Sequence, residues 1–206
     1  MLHRTEKLKE TPSQTAGPYV AIGMAPNAAN FAEIRGVYKE DLGANMLGPD
    51  TKGERIEIVL RIIDGDGVPV SDALVELWQA DADGNYVRNG DPVGGGFTGF
   101  GRQIYNDTGT FAFKTIKPGR VAGPDGKKMA PHVAVWIVAR GINIGLQTRL
   151  YFEDEADANE TDWVMTRIMN PARRKTLVAR KEQGDVPRYL LDIHLQGENE
   201  TVFFDV

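Results

Sequence analysis

From residue 55 onward, the sequence is a series of short segments in which apolar, often β-branched residues alternate with polar ones. Such alternation turns one face of an extended strand toward a core. Turn-forming residues separate the segments, and many short strands joined by frequent turns favour an all-β fold of the β-sandwich type. The predicted strands cover residues 55–63, 73–79, 110–116, 132–139, 147–152, 188–195 and 201–205.

One stretch departs from this alternation. Residues 153–170 begin with an acidic run and continue into an apolar segment, which predicts short helices near residues 155–170, and Pro171 ends or restarts them. Residues 174–181 fit a helix and a strand equally well. The acidic run itself is typical of a solvated helix face.

The first 54 residues have a different character. They contain turn residues and short apolar pieces, and TPSQTAGPY at 11–19 cannot form a helix interior or a central strand. We therefore expect two parts, an extended N-terminal arm over residues 1–54 and a β-sandwich domain over residues 55–206. A turn or short helix is expected near residues 28–36. An arm without a core of its own should lie on the body or on another chain.

Composition removes several classes of function. The 24 Lys and Arg residues against 29 Asp and Glu residues give a net charge of −5, which argues against a nucleic-acid binder. The chain has no cysteine, so disulfides, thiolate nucleophiles and Cys-ligated zinc are excluded. No apolar run approaches the roughly 20 residues that span a bilayer, and the N-terminus lacks a signal-peptide pattern. We expect a soluble, cytoplasmic protein that does not contact membranes.

The residues alone do not indicate a self-contained catalytic site. The chain has three histidines, at positions 3, 132 and 194. His132 opens the most apolar predicted strand, and a single histidine there is more often a hydrogen-bonded core residue than a metal ligand. From the residues alone, we therefore predict only a soluble β-sandwich with a long arm.

Four stretches, taken in order, resemble the intradiol ring-cleaving dioxygenases. They are the arm motif at 11–19, DGDGVPVSDALVELWQADADGNY at 64–86, TIKPG at 115–119, and MAPHVAVWIVARGINIGLQTRLYF at 129–152. The resemblance continues to the C-terminus and covers nearly the whole chain. It implies an intradiol-dioxygenase-like β-sandwich.

Iron-bearing chains of that family hold non-haem iron(III) with two Tyr and two His. Phenolates are hard, strongly donating ligands that stabilise iron(III), and imidazoles complete the site. By resemblance, Tyr86 matches the first Tyr, and His132 matches the first His of a His-x-His pair. Val121 stands where the second Tyr is expected, and Ala134 stands where the second His is expected.

Two further positions depart from the family's catalytic pattern. Met129 stands where catalytic chains carry an Arg, and Arg149 stands where they carry a Gln. With two of four ligands missing, a single phenolate and a single imidazole should not hold iron(III). We therefore expect no metal in this chain, and we interpret Tyr86 and His132 as structural survivors of a vestigial site.

This pattern of departures is typical of the iron-free chain of hetero-oligomeric family members. The resemblance implies that such a chain pairs with a homologous chain that carries Fe(3+), and that its arm lines the partner's cleft. By resemblance, Thr15, Gly17, Pro18, Tyr19 and Arg140 are substrate-binding residues in that shared cleft. A guanidinium suits a substrate carboxylate. The alternative for Arg140 is an ion pair at the subunit interface.

The implied activity of the whole enzyme is cleavage of protocatechuate by dioxygen to 3-carboxy-cis,cis-muconate, a step of the β-ketoadipate route of aromatic catabolism. This chain then has no catalytic residue of its own. Two alternatives remain open from the sequence. One is a self-sufficient, homo-oligomeric intradiol dioxygenase, against which Val121 and Ala134 argue. The other is a non-catalytic β-sandwich binding module, which does not explain the arm motif.

Overall fold

Eight strands form within the described residues, and most of them come from the alternating segments of the sequence. The computed structural model describes residues 15–17, 19–30, 39–87 and 96–205. The strands are β1 (Arg55–Ile63), β2 (Leu74–Trp78), β3 (Phe100–Ile104), β4 (Phe111–Ile116), β5 (His132–Val138), β6 (Leu146–Phe152), β7 (Val178–Glu182) and β8 (Arg188–His194). The all-β sandwich prediction is confirmed.

The strands form two four-stranded halves. One half has the order β3-β2-β5-β6, with every pair antiparallel. The other has the order β7-β8-β1-β4, in which β1 and β8 run parallel. The halves meet where β6 and β7 pair in parallel over two residue pairs, Tyr151 with Val178 and Phe152 with Ala179. The result is a nearly closed sheet around one core.

The main core follows directly from the two-residue period of the strands. In β5, Val133, Val135 and Ile137 are fully buried in this core, because successive side chains of a strand point to opposite faces. Each such side chain contributes roughly 1.5–3 kcal/mol on burial. The intervening side chains of β5, which include His132 and Ala134, therefore face away from the main core.

Short helical segments connect the strands, as predicted near residues 155–170. Asn170 caps α3 by accepting a hydrogen bond from the backbone N–H of Ala172, and Pro171 occupies the first helical position. The ambiguous residues 174–181 form a 3₁₀ turn followed by β7. The segments are α1 (Tyr19–Met24), α2 (Ala156–Thr161), α3 (Pro171–Arg174) and 3₁₀ turns at Glu153–Glu155, Met165–Arg167 and Lys175–Leu177.

Three features differ from the sequence predictions. Residues 201–205 form no strand and make a single bridge between Phe204 and Gln147. Strand β3 was not predicted, because its sequence, FGRQI, combines a glycine with polar residues. In the N-terminal region, the described helix is α1, while most of the expected helix near 28–36 lies outside the described residues.

Candidate functional site

The turn that precedes Tyr86 lies against the segment that carries Val121, since a Cβ at Gly84 would lie 2.4 Å from the carbonyl oxygen of Arg120. Asp81 stabilises this turn, since its Oδ1 accepts hydrogen bonds from two backbone N–H groups within it. The N–H of Gly119 donates to the carbonyl oxygen of Asp81 at 2.8 Å. A Cβ at Gly119 would lie 2.4 Å from the carbonyl oxygen of Ala82, so this close approach requires glycine.

His132 is buried at the start of β5, with 4% of its surface exposed. Its Nδ1 lies 2.8 Å from the carbonyl oxygen of Ala130, and because a carbonyl only accepts, Nδ1 carries the proton. Burial, and then the nearby Arg149 charge, lower the pKa of His132, so the ring is neutral at physiological pH. The remaining nitrogen, Nε2, is the lone-pair donor that a metal would use.

Asp162 fixes the backbone around His132 from a neighbouring segment. It is 1% exposed, and its Oδ2 accepts a hydrogen bond from the N–H of Ala130 at 2.9 Å. Its Oδ1 accepts from the Tyr151 hydroxyl at 2.9 Å and from two backbone N–H groups of the following 3₁₀ turn. Sequence reasoning missed Asp162. The available signal was an acidic residue at the N-terminus of a short helical segment, a common capping position.

Val121 and Met129 lie in a small apolar cluster with Ala80 and Trp163. Val121 is 7% exposed and Met129 is 9% exposed, so both side chains pack rather than face solvent. Neither offers an oxygen or nitrogen donor. The positions where iron-bearing relatives are expected to have a Tyr ligand and an Arg are thus filled by hydrocarbon and thioether groups.

Arg149 brings a positive charge to the face where the four ligand positions converge. It pairs with Ala134 across β5 and β6, and its Nη1 lies 3.4 Å from the Tyr151 hydroxyl. Burial raises the pKa of Tyr86, and the Arg149 charge opposes that rise. The same charge lowers the pKa of His132. A fixed guanidinium here repels a metal cation.

The donor set does not fit iron(III). Tyr86 supplies one phenol and is 43% exposed, and His132 supplies one imidazole. Val121 and Ala134 supply no donor atom. Over the ranges that the structure describes, no group of three or more His, Asp or Glu side chains is arranged to hold a metal ion. The chemistry of these side chains, and the guanidinium beside them, make this an unsuitable site for a highly charged ferric ion.

A second constellation lies where the arm meets the end of β5. The hydroxyl of Thr15 donates to the carbonyl oxygen of Ala139 at 3.2 Å and accepts from the N–H of Gly141 at 2.7 Å. The two bonded backbone groups belong to the residues before and after Arg140 in the chain, so Thr15 lies beside Arg140. The structure therefore brings together Thr15 and Arg140, two predicted substrate-binding residues that are distant in sequence.

Arg140 itself is largely free to reorient. Its side chain is 69% exposed, and its Nε lies 3.1 Å from Oδ2 of Asp72. The N–H is not aligned for a hydrogen bond, and that carboxylate oxygen accepts none from the residues described. An exposed pair of this kind contributes little to stability.

The other arm residues are placed as follows. Tyr19 begins α1 and is 77% exposed, and a Cβ added at Gly17 would meet nothing within 4 Å. Gly17 is therefore not required by crowding among the described residues. Pro18 lies outside the described residues.

Comparison with known proteins agrees with this geometry. The family described as Dioxygenase matches residues 27–197. The chain belongs to the intradiol dioxygenase family. It is 45% identical over 202 residues to the protocatechuate 3,4-dioxygenase alpha chain of Pseudomonas putida, covering 97% of this chain and 98% of that one. The Burkholderia cepacia alpha chain is 41% identical over 97% of this chain and 98% of its own length.

The family also includes a second type of chain. The protocatechuate 3,4-dioxygenase beta chain of Burkholderia cepacia is 32% identical over 82% of this chain and 81% of that one. Among solved structures, an intradiol ring-cleavage dioxygenase from Tetranychus urticae shares the fold, with a TM-score of 0.57 and 22% identity over 76% of this chain and 88% of that chain. The resemblance drawn from the motifs is confirmed, with greater identity to alpha chains than to the beta chain.

The lengths of the helices bear on whether they could span a membrane. Among the described residues, no helix has the length and apolar character needed to cross a bilayer.

Proposed function

We propose that this chain is the alpha subunit of an iron(III)-dependent protocatechuate 3,4-dioxygenase. In this proposal it lends cleft walls and substrate contacts to the iron site of a homologous beta chain. The observation that carries the proposal is the donor set: an intradiol dioxygenase family member has Val121 and Ala134 at two of its four ligand positions. The identity to alpha chains over almost the full length supports it.

The assembled enzyme would cleave the ring of protocatechuate between its two hydroxyl-bearing carbons. Both atoms of dioxygen enter the product, 3-carboxy-cis,cis-muconate. The iron of the beta chain supplies the activation of the ring toward dioxygen. This chain supplies binding and orientation, which lower the barrier by holding the substrate in a reactive geometry.

Arg140 is the proposed contact for the substrate carboxylate. Its exposed guanidinium is not locked to Asp72, so it can turn toward an anion entering a cleft between the chains. A guanidinium binds a carboxylate through two parallel N–H donors, which fixes orientation as well as charge. The same charge attracts the anionic substrate from solution.

The arm residues would form the wall of that cleft. Thr15 holds the arm beside Arg140 through its bonds to Ala139 and Gly141. The exposed Tyr19 ring offers an aromatic surface and a hydroxyl. Gly17 and Pro18 complete the motif as a rigid backbone that a partner can approach closely. In this proposal the arm, residues 1–54, contacts the partner chain, and the enzyme acts in the cytoplasm.

Metal analysis of the purified chain tests the proposal directly. The chain is purified alone and after co-expression with a homologous chain that carries both Tyr ligands and the His-x-His pair. We expect essentially no iron in the lone chain. Iron and ring-cleaving activity on protocatechuate should appear together in the co-purified complex.

Near-stoichiometric iron in the lone chain would overturn the proposal and favour a self-sufficient enzyme. A matched control is the partner chain with its two His ligands replaced by Ala. Its complex with this chain should assemble without iron, which separates a failure of assembly from a failure of metal binding.

A further inference from the structure

A cavity of about 580 Å³ opens beside Arg149, on the face turned away from the main core. Its volume lies within the range of small-molecule sites. Trp163 and Phe204 give it flat aromatic walls, and Val164, Ile168 and Val202 give it aliphatic ones. Neither Tyr86 nor His132 lines it. The cavity is therefore a mainly apolar space, and its charged lining consists of three arginines, which include Arg149, and one carboxylate, Asp205.

Arg149 has no carboxylate within ion-pair distance in the described ranges, although it reaches Asp162 indirectly, through the Tyr151 hydroxyl that donates to that carboxylate. Its Nη1 contacts are the Tyr151 hydroxyl at 3.4 Å and the Met129 sulfur at 3.8 Å, both weak acceptors for a cation. On the same sheet, the enclosed Arg102 forms an ion pair with Glu76 at 2.6 Å. Partial burial of a guanidinium without such a carboxylate costs desolvation free energy, and an anion bound from solution offsets that cost.

A second guanidinium lies over the aromatic wall. Arg167 stacks on the Trp163 ring, 3.6 Å from its centroid, and donates to the Trp163 carbonyl oxygen. No carboxylate of the described ranges lies within ion-pair distance of Arg167. A third lining cation, Arg173, is paired with Glu200 at 3.1 Å. The cavity therefore has an aromatic wall and two arginines without an ion-pair partner among the described residues, against one lining carboxylate, Asp205, so the net charge of its lining is positive.

We propose that this cavity binds a small carboxylate with a flat apolar body, of the size and chemistry of benzoate. The carboxylate is held by Arg149, with Arg167 adding to the positive potential. The ring packs against Trp163 and Phe204, where it removes apolar surface from water.

Titration of the full chain with benzoate tests the site, with heat as the readout. Benzamide is the matched probe, because it has nearly the same shape without the charge. We expect saturable binding of benzoate and at least about tenfold weaker binding of benzamide, because the neutral amide cannot form a charge-assisted hydrogen bond with the guanidinium. This comparison uses the unmodified chain, so it does not depend on the folding of any variant.

Variants then locate the site. Arg149→Gln should weaken benzoate binding by about tenfold or more, while Arg149→Lys, which keeps the charge, should lose less. Arg61→Gln, an exposed arginine paired with Asp192, is the matched control and should bind benzoate normally. Trp163→Phe should remove the tryptophan fluorescence change on binding. Circular dichroism checks that each variant is folded.

Three outcomes would overturn the inference. They are the absence of saturable benzoate binding by the unmodified chain, equal binding of benzamide, and normal benzoate affinity in a folded Arg149→Gln variant. Each is independent of iron content and ring-cleaving activity, so failure of this inference is distinguishable from failure of the proposed function.

Discussion

Arg140 is the residue on which the proposed substrate role can be tested most directly. Replacing it with Ala in the assembled enzyme should lower kcat/KM for protocatechuate roughly tenfold to a hundredfold, because a charged hydrogen bond to the carboxylate is lost. Iron content should not change. Stability should change little, since the Arg140 side chain is 69% exposed and its N–H is poorly aligned with the Asp72 carboxylate.

The matched control for this substitution is Arg61→Ala. Arg61 is also an exposed arginine paired with an aspartate, but it lies on β1 in the other half of the sheet. Its replacement should leave the kinetics unaltered. If Arg140→Ala behaves in the same way, Arg140 is an interface or surface residue and its substrate role is lost.

Tyr86 tests the interpretation of the ligand positions as vestigial. The Tyr86→Phe change removes only the phenol oxygen, the one atom that a metal would use. Because Val121 and Ala134 provide no other donors, we expect the iron content of the complex, measured by metal analysis, to be the same for both proteins. A fall in iron upon this change would show that Tyr86 is a ligand after all.

At the scale of elements, a hydrogen-bond network around Asp154 ties four strands together. Oδ2 of Asp154, directly after β6, accepts hydrogen bonds from Lys117 at 3.0 Å, Lys181 at 2.7 Å and the Tyr189 hydroxyl at 2.9 Å. Although partial burial acts in the opposite direction, these donors lower the pKa of Asp154 to about 2 from 3.8. The network joins the ends of β4, β6, β7 and β8.

This shift predicts a particular loss of stability in acid. Because the folded pKa is the lower one, the stabilisation is complete above the unfolded value and disappears as pH falls toward the folded value. Asp154→Asn should reduce the free energy of unfolding by about 1 kcal/mol at neutral pH, after allowing for solvent screening. Urea unfolding across pH should show the two proteins converging near the folded pKa.

Asp192→Asn is the control for that experiment. Asp192 forms an exposed pair with Arg61, so its loss should cost less than the loss of Asp154. A difference between Asp154→Asn and the unmodified chain that persists unchanged at the lowest pH would contradict the electrostatic explanation and indicate lost packing instead.

The elements also show how far the sequence predicts the fold. Segments that alternate cleanly became strands within a residue or two of the predicted bounds, as in β1 and β5. Strand β3 was missed because its Gly101 is required by packing: a Cβ there would lie 2.7 Å from the Met46 sulfur. Residues 201–205 alternate, yet only Phe204 forms a β-bridge, with Gln147, and the other hydrogen bonds between this segment and the body do not form a ladder. Strand formation in both cases depends on neighbours that are distant in sequence.

The candidate site also has a part that could be predicted from the sequence and a part that could not. The spacing of Tyr86, His132 and the intervening motifs could be read from the sequence by resemblance. The convergence of Arg149, Asp162 and Trp163 could not, because it depends on the register between β5 and β6 and on where the following turns dock. Pairing register is a property of the folded sheet and leaves no local signature in the sequence.

At the scale of the whole molecule, the proposed active site belongs to no single chain. The body supplies Arg140 at the end of β5, the arm supplies Thr15 beside it, and the metal ligands are assigned to the partner. An arrangement of this kind makes activity depend on assembly, and it explains how this chain can lose metal ligands while keeping the fold. The arm is then more important for activity than for the stability of the body.

Truncation of the arm separates its contribution to activity from its contribution to the stability of the body. Removing residues 1–19 deletes the motif at 11–19 and the two hydrogen bonds of Thr15, but it removes no residue of the main core. We expect the thermal midpoint of the lone chain to shift by only a few degrees, because lost exposed contacts contribute about 1 kcal/mol or less. Ring-cleaving activity of the complex should fall at least tenfold, as expected for a lost substrate-positioning wall.

Removing residues 1–10 alone is the matched control and should preserve activity, because the motif remains. Full activity of the longer truncation, with normal assembly by size-exclusion chromatography, would place the arm outside the cleft.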